Sequence, residues 1–579
     1  MNNSIINLFL KINNFLNIKR YYLFYSIIIF LPVFLYGTFI QDDFSVKDQY
    51  FVNDILYSIK SMCQVNHNRP LSCVYHGLLT RLYPSFKLYF FVVFILYFLS
   101  VIILMKVFNF MTANLNQKKL FFSLLIIPFF SYTILYSPAM QSMGVFAFLT
   151  WTISLFLQKK FLDKNKITFL ISSYFFIFFS LLIYESSFPL FSLSILFPLI
   201  YIKRENFNYK KFIFLNLIFI IFICLFVLFL QKNMFDMYSG IYSGENVSRV
   251  KLGITDLNSL IYKILINLFL TFNILIHSLE LFYHNISSII NDLNYTLAIQ
   301  IFIAFIFVYL NLPKMFNHNN YLFKKKIPKY FTIYFLIIFF GIILLNALMH
   351  ALANTGLEFI RYNNRALVSL SIVFSIMGYL IVTTSFSKNN YFFLRYIFLI
   401  IFIIFLVNFL TFQNNAINEK FRGIDISNKI DDFQVDRNFD DSDSIISVRH
   451  FLSRNELEPR TIFFLIEENL DKSKIVASYD THDYLKEILF HKNTYIIKLS
   501  PEKVCNKNYF NLYINDFINQ KYIKAILIYD VNKKQISQKK IKPDRYIMYF
   551  KDYFKCLDTN DSIGFQYDSF LVKILKENF

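Results

Sequence analysis

The chain has 579 residues, 56% of them hydrophobic, with 75 Phe and 40 Tyr against 11 Gly, and a mean hydropathy of +0.46. That much apolar surface exceeds what a soluble core needs and argues for an integral membrane protein. The net charge of +20 does not point to nucleic acid: residues 414–579 hold 26 Lys and Arg against 25 Asp and Glu, so the excess lies among the apolar runs before them, with no stacking platform or nucleic-acid fold signature beside it.

Runs of about 20 apolar residues have the length that crosses a bilayer as a helix. Backbone groups in lipid must be satisfied within the chain, so helices are expected through residues 1–413. The tail carrying Lys11, Lys19 and Arg20 starts on the cytoplasmic side, and residues 21–40 form the first span. No small-residue cleavage site follows, which makes this a retained span rather than a signal peptide.

Residues 41–87 are then an external loop, opening with Gln41-Asp42-Asp43-Phe44. Two adjacent carboxylates repel each other, so one readily accepts a proton while the other orients a ligand or metal. Asp also caps the start of helices, a purely structural use of the same residues. Lys47 follows, and about 25 residues after the pair stands Asn68-Arg69-Pro70-Leu71-Ser72.

Further spans are expected near 88–105, 120–137, 142–157, 167–184, 188–202 and 212–230. Lys118 and Lys119, and the basic stretches 159–166 and 203–211, fall in their cytoplasmic connections, the positive-inside pattern. Glu185, in Tyr184-Glu185-Ser186-Ser187, stands at a span end on the outer face. A carboxylate there is far less costly than at the bilayer centre and is a candidate substrate contact.

Residues 231–258 form a second external loop. Residues 259–283 are apolar but interrupted by Lys263, Asn267, Asn273, His277 and Glu280. If they crossed, Lys314, Lys324, Lys325, Lys326 and Lys329 would lie outside, against the charge rule. The stretch 259–290 is therefore read as re-entrant or interfacial. His277, Glu280 and His284 share one helical face, but they lack the His-Glu-x-x-His order, and no metal is assigned; the cofactor is left unknown.

Spans near 295–312, 330–349, 366–385 and 396–413 follow, with Arg361 and Arg365 on an external connection in Glu358-Phe359-Ile360-Arg361-Tyr362-Asn363-Asn364-Arg365. Guanidinium groups offer paired donors to phosphate, on a substrate or on ordinary lipid headgroups. Residues 414–579 change to short apolar runs at 461–466, 495–499 and 525–529, separated by helical patterns at 483–490 and 510–520, which reads as a small α/β domain. An acidic stretch, 431–443, precedes it. Cys63 with Cys73, and Cys505 with Cys556, form even pairs on the outer side that suit disulfides, with four free thiols as the alternative; Cys224 stands alone in a span. The sequence thus predicts a mainly α membrane protein of about eleven transmembrane helices over 1–413 and an extracytoplasmic α/β domain over 414–579, in a cell inner membrane or plasma membrane.

The acidic pair after the first span, the Asn68-Arg69-Pro70-Leu71-Ser72 segment and the Tyr184-Glu185 step together resemble the Gtr-type O-antigen glucosyltransferases, polytopic members of the GT-C superfamily. This chain departs from the family pattern at Asn68, where Gly is usual, at Lys47, where the basic residue is usually Arg, and at Glu185, where the step is Tyr-Gln. The resemblance covers the membrane region and says nothing about 414–579. It implies transfer of a hexose from a polyprenyl-phosphate donor to a surface glycan acceptor, with Asp42 or Asp43 as base, Arg69, Arg361 and Arg365 on the lipid phosphate assisted by Lys47, and Glu185 on substrate.

Other classes share this architecture. A transporter or flippase would place charge within spans, which here are almost free of it. A polymerase of lipid-linked glycan would use the same external arginines without needing the acidic pair, and a non-enzymatic envelope protein would present the C-terminal domain to partners.

Overall fold

A computed structural model of the chain describes residues 18–37, 70–79, 86–112, 115–128, 138–201, 209–239, 260–269, 295–309, 330–352, 368–383 and 400–411, isolated helical positions between 56 and 59, 279 and 287, and 413 and 417, and five strands between 446 and 539. The chain divides into two compact units, Met1–Asn418 and Glu419–Phe579.

Every described element of the first unit is helical. In order they are α1 (Ile18–Tyr36), α2 (Pro70–Leu79), α3 (Phe86–Val107), α4 (Leu115–Leu125), α5 (Pro138–Lys164), α6 (Ile167–Ile183), α7 (Phe191–Ile200), α8 (Tyr209–Ser239), α9 (Leu260–Phe269), α10 (Tyr295–Tyr309), α11 (Tyr330–Leu352), α12 (Val368–Thr383) and α13 (Ile400–Thr411). A 3₁₀ turn, Phe108–Met111, extends α3, and a second 3₁₀ helix, Glu185–Leu190, joins α6 to α7. Two helical runs, Lys87–Met111 and Met143–Lys164, are long and apolar enough to cross a bilayer by length and composition; apolar runs of 10–17 residues lie in most of the others.

Proline explains several boundaries. Pro70 and Pro138 open α2 and α5 at the first helical position, where a missing N–H costs nothing and the fixed φ suits a helix. Helix α4 stops at Leu125, two residues before Ile127, whose following Pro128 disfavours the helical conformation. The expected span 120–137 is therefore helical only in its first part among the described residues, while Leu120–Pro128 as a whole is buried.

Among the described residues two prolines lie in the interior of α-helices, and each leaves a carbonyl four residues back without its usual N–H. In α1 the proline is Pro32, and Gln300 of α10 donates Nε2 to the stranded Ile28 carbonyl at 2.9 Å and to Ile29 at 3.3 Å. In α7 it is Pro198, and Asn216 of α8 donates Nδ2 to the Ser194 carbonyl at 3.0 Å. A side-chain amide from a neighbouring helix thus does in an apolar setting what water does for a surface helix.

The core between helices is dense in aromatic rings and short hydroxyls. Trp151 is fully buried on α5 and donates Nε1 to Ser194 Oγ at 2.9 Å, while Phe148 stacks on it at 6.1 Å. Ser154 and Ser173 join α5 to α6 at 3.0 Å, and Tyr21 and Ser123 join α1 to α4 at 2.8 Å. Lys119 is buried with its ammonium 4.9 Å from the Tyr21 ring centroid. The Tyr379 hydroxyl of α12 donates to the Met111 carbonyl at 3.0 Å, closing the end of the α3 extension. Helix α8 is the contrast. It buries Phe212, Asn216, Ile220 and Val227, and exposes Phe214, Phe219, Phe222, Leu225, Phe226 and Phe229 among others.

Several helices outrun their predicted spans. Helix α5 continues through the lysines of 159–164, and Lys159 uses its ammonium to cap α3, donating to the Lys106 and Val107 carbonyls at 2.6 and 2.9 Å. The α5–α6 connection shrinks to Asn165 and Lys166; Asn165 takes the left-handed conformation, φ 56°, and donates its N–H to Phe161 at 2.7 Å, a helix stop that asparagine tolerates well. Helix α8 runs on to Ser239, into the segment read as the second external loop. The expected loop 41–87 contains α2.

The second unit contains one mixed five-stranded sheet: β1 (Ile446–His450), β2 (Arg460–Phe464), β3 (Tyr495–Leu499), β4 (Ile526–Asp530) and β5 (Gln535–Lys539), in the order β3-β1-β2-β4-β5. Strand β1 pairs parallel with β3, Ile446 opposite Tyr495, and antiparallel with β2, Ile446 opposite Phe464; β2–β4 and β4–β5 are antiparallel. The predicted helical patterns 483–490 and 510–520, the acidic stretch 431–443 and the side chains of Cys63, Cys73, Cys505 and Cys556, on which the expected disulfides rest, lie outside the described residues.

Candidate functional site

The 3₁₀ helix Glu185–Leu190 opens on one predicted site residue and packs against α5, α6, α7, α11 and α12. Helix α6 ends at Ile183, and Tyr184 turns extended, φ −163° and ψ 126°, before the 3₁₀ turns begin at Glu185. Tyr184 still donates its N–H to the Ser180 carbonyl at 3.0 Å, so the break is hydrogen-bonded on the α6 side. Ser180 Oγ lies 2.8 Å from the Ala147 carbonyl and 2.7 Å from Ser187 Oγ, and Ser187 Oγ lies 3.3 Å from the Tyr184 carbonyl. Each serine has a single proton, so two donors are spread over three contacts in a buried network that ties α5, α6 and the 3₁₀ helix together. Ser192, buried at the start of α7, donates to the Pro189 carbonyl at 3.0 Å.

Helix α2 packs against α5 and α6 at this break. Its first turn supplies Leu71, which lies on the buried cluster of Met143, Ala147, Ile183 and Tyr184, and Ser72, whose hydroxyl donates to Met143 Sδ. Tyr75, one turn on, stacks on Phe146 with ring centroids 4.8 Å apart. Gly144 leaves room for the Tyr184 ring, which a β-carbon there would meet at 3.9 Å. Helices α11 and α12 also pack against the 3₁₀ helix, and Gly341 of α11 admits Ser192, whose β-carbon would stand 3.5 Å from an added one.

In sequence, Arg69 immediately precedes α2, Glu185 is the first residue of the 3₁₀ helix, and Arg361 and Arg365 precede α12. The structure therefore packs the element that follows Arg365 on the one that contains Glu185, and sets the element that follows Arg69 beside it, on α5 and α6. Glu185 is described in its backbone only, and Asp42, Asp43, Lys47, Arg69, Arg361 and Arg365 lie outside the described residues. Helix α1, which leads toward Asp42 and Asp43, packs against α3, α4 and α10. His277, Glu280 and His284 are likewise outside the described residues, among which no group of three or more His, Cys, Asp or Glu could hold a metal.

One polar residue on α11, a helix that packs on this junction, carries no sequence motif. Asn346, on α11, is fully buried, and neither its Nδ2 nor its Oδ1 has a hydrogen-bond partner. The sequence signal for it is only a single amide in the apolar run 330–349.

No family model matches the chain, and neither does any curated protein or solved structure.

Proposed function

We propose that the chain is a polytopic membrane glycosyltransferase of the GT-C type, similar to the Gtr-type O-antigen glucosyltransferases. On this reading it moves a hexose, glucose being the first choice, from a polyprenyl-phosphate donor to a surface glycan on the outer face of the inner or plasma membrane. About eleven helices cross the bilayer, and residues 419–579 lie outside it. The exposed apolar face of α8 and the amide-to-carbonyl bonds opposite Pro32 and Pro198 support the membrane assignment, because both suit a solvent that offers no hydrogen bonds.

The observation that carries the functional reading is the packing of α11 and α12 on the Glu185–Leu190 turn, with α2 seated beside it on α5 and α6 and its Leu71 on the cluster that contains Tyr184. It brings to one part of the bundle the elements that carry or follow Arg69, Glu185 and Arg365, two cations and a carboxylate of the kinds that the chemistry requires at a membrane boundary. The acceptor hydroxyl oxygen attacks the anomeric carbon while the bond from that carbon to the phosphate oxygen breaks. The acceptor proton passes to Asp42 or Asp43, and the lipid phosphate leaves with the electron pair. Arg69, Arg361 and Arg365, with Lys47, stabilise that departing charge as paired or point donors, and Glu185 accepts hydrogen bonds from sugar hydroxyls.

The mass of the surface glycan from cells with and without the protein tests this reading. Loss of one hexose per repeat is expected on deletion; shortened chains of unchanged repeat mass would instead make the protein a polymerase. Protease added to spheroplasts should cut within residues 419–579, and full protection of that unit would reverse the proposed topology.

A further inference from the structure

Among the described residues of the first unit, two amides are fully buried with both ends unpartnered, Gln158 on α5 and Asn346 on α11. Burying a primary amide without partners is costly, and native structures rarely leave such a group idle without a ligand, a water or stored strain to account for it. The two differ in position. Gln158 is 14 residues along α5 from Gly144, which faces Tyr184, and so stands about 21 Å along the helix from the 3₁₀ break. Asn346 lies on the stripe with Ile338 and Ile342 that α11 buries in the bundle, and the helix that carries it packs on the 3₁₀ helix, α7 and α12.

We infer that Asn346 binds hydroxyl groups of the transferred sugar, an inference that rests on the transferase reading. A carboxamide presents two donor hydrogens and an acceptor oxygen on one plane, and a sugar hydroxyl is both donor and acceptor. Neighbouring hydroxyls on a pyranose therefore satisfy both ends of the amide at once. A phosphate would satisfy only the donor end and leave Oδ1 unpaired, which assigns this residue to the sugar rather than to the lipid phosphate. The apolar neighbours Ile342 and Ala347 are fully buried on the same helix, so in the ligand-free protein the polarity of Asn346 supports no other contact.

The test is Asn346→Leu in the purified full-length protein, assayed with a panel of polyprenyl-phosphate hexoses and the monodeoxy analogues of the best one. Leucine keeps the four-heavy-atom branched outline with greater bulk and removes both polar ends, and valine is the smaller companion variant, so the ligand-free thermal midpoint of at least one of the two should stay level or rise. The KM for the donor should rise about tenfold, the size of one or two lost hydrogen bonds. At least one monodeoxy donor that the wild type disfavours should be used by the variant as well as the parent sugar. An unchanged KM with every deoxy penalty retained overturns the inference and leaves the transferase reading standing. A lowered ligand-free midpoint in both Asn346→Leu and Asn346→Val also overturns it, since the amide would then be supporting the fold. If the wild-type protein transfers no hexose from any donor in the panel, both readings fall together.

Discussion

Asn216 and Asn346 carry the same side chain into the same helical unit, both fully buried, yet only Asn216 has a partner there. Asn216 stands opposite a proline-stranded carbonyl and gives it a proton; Asn346 lies on a helix without an internal proline and makes no bond. A proline-stranded carbonyl makes the Asn216 amide structural, and a second amide does the same for the buried Asn285–Asn408 pair at 2.9 Å. Asn346 bonds to neither kind of partner, and its hydrogen-bonding capacity is left for a ligand.

That contrast can be broken by mutation. The largest stability effect is expected at Asn216→Leu, which strands the Ser194 carbonyl and should cost about 1–2 kcal/mol in detergent unfolding. The same substitution in a Pro198→Leu background should cost little, because leucine returns the N–H that the carbonyl lacked; equal costs in both backgrounds would show that the bond does not answer the proline. Gln300→Leu should show the same dependence on Pro32 with a smaller cost, about 0.5–1 kcal/mol, since Gln300 is only half-buried. The better tolerated of Asn346→Leu and Asn346→Val closes the series at zero or a slight gain.

How much of this the sequence discloses follows from the physics of each feature. The apolar runs at 21–40, 88–105, 212–230 and 330–349 all contain described helices, because hydrophobic length is a local property. Their true ends were not readable: α5 to Lys164 and α8 to Ser239 go on through polar residues, which a helix accepts wherever it leaves the apolar layer. The strands Arg460–Phe464, Tyr495–Leu499 and Ile526–Asp530 fall on predicted apolar runs. Ile446–His450 and Gln535–Lys539 were missed, since runs such as Gln-Ile-Ser-Gln-Lys are held by pairing rather than by hydrophobicity. The Tyr184-Glu185-Ser186-Ser187 step could be placed at a span end, but its packing against α2 depends on Leu71 and Ser72, more than a hundred residues earlier. The pairing of Gln300 with Ile28 is equally remote in sequence, and no periodicity reports it.

The central claim is that this chain transfers a sugar with the help of the carboxylates after its first helix. Its most direct test is the transfer of labelled hexose from polyprenyl phosphate to the surface glycan by purified wild type, Asp42→Asn, Asp43→Asn and the double variant, each checked for normal insertion and thermal midpoint. The amide keeps the size of the carboxylate and removes its basicity, so at least one single variant should lose about 10²–10⁴-fold in rate with its midpoint unchanged. Transfer at near wild-type rate by both single variants and the double variant would contradict the proposed chemistry, and no transfer by the wild type would contradict the proposed function.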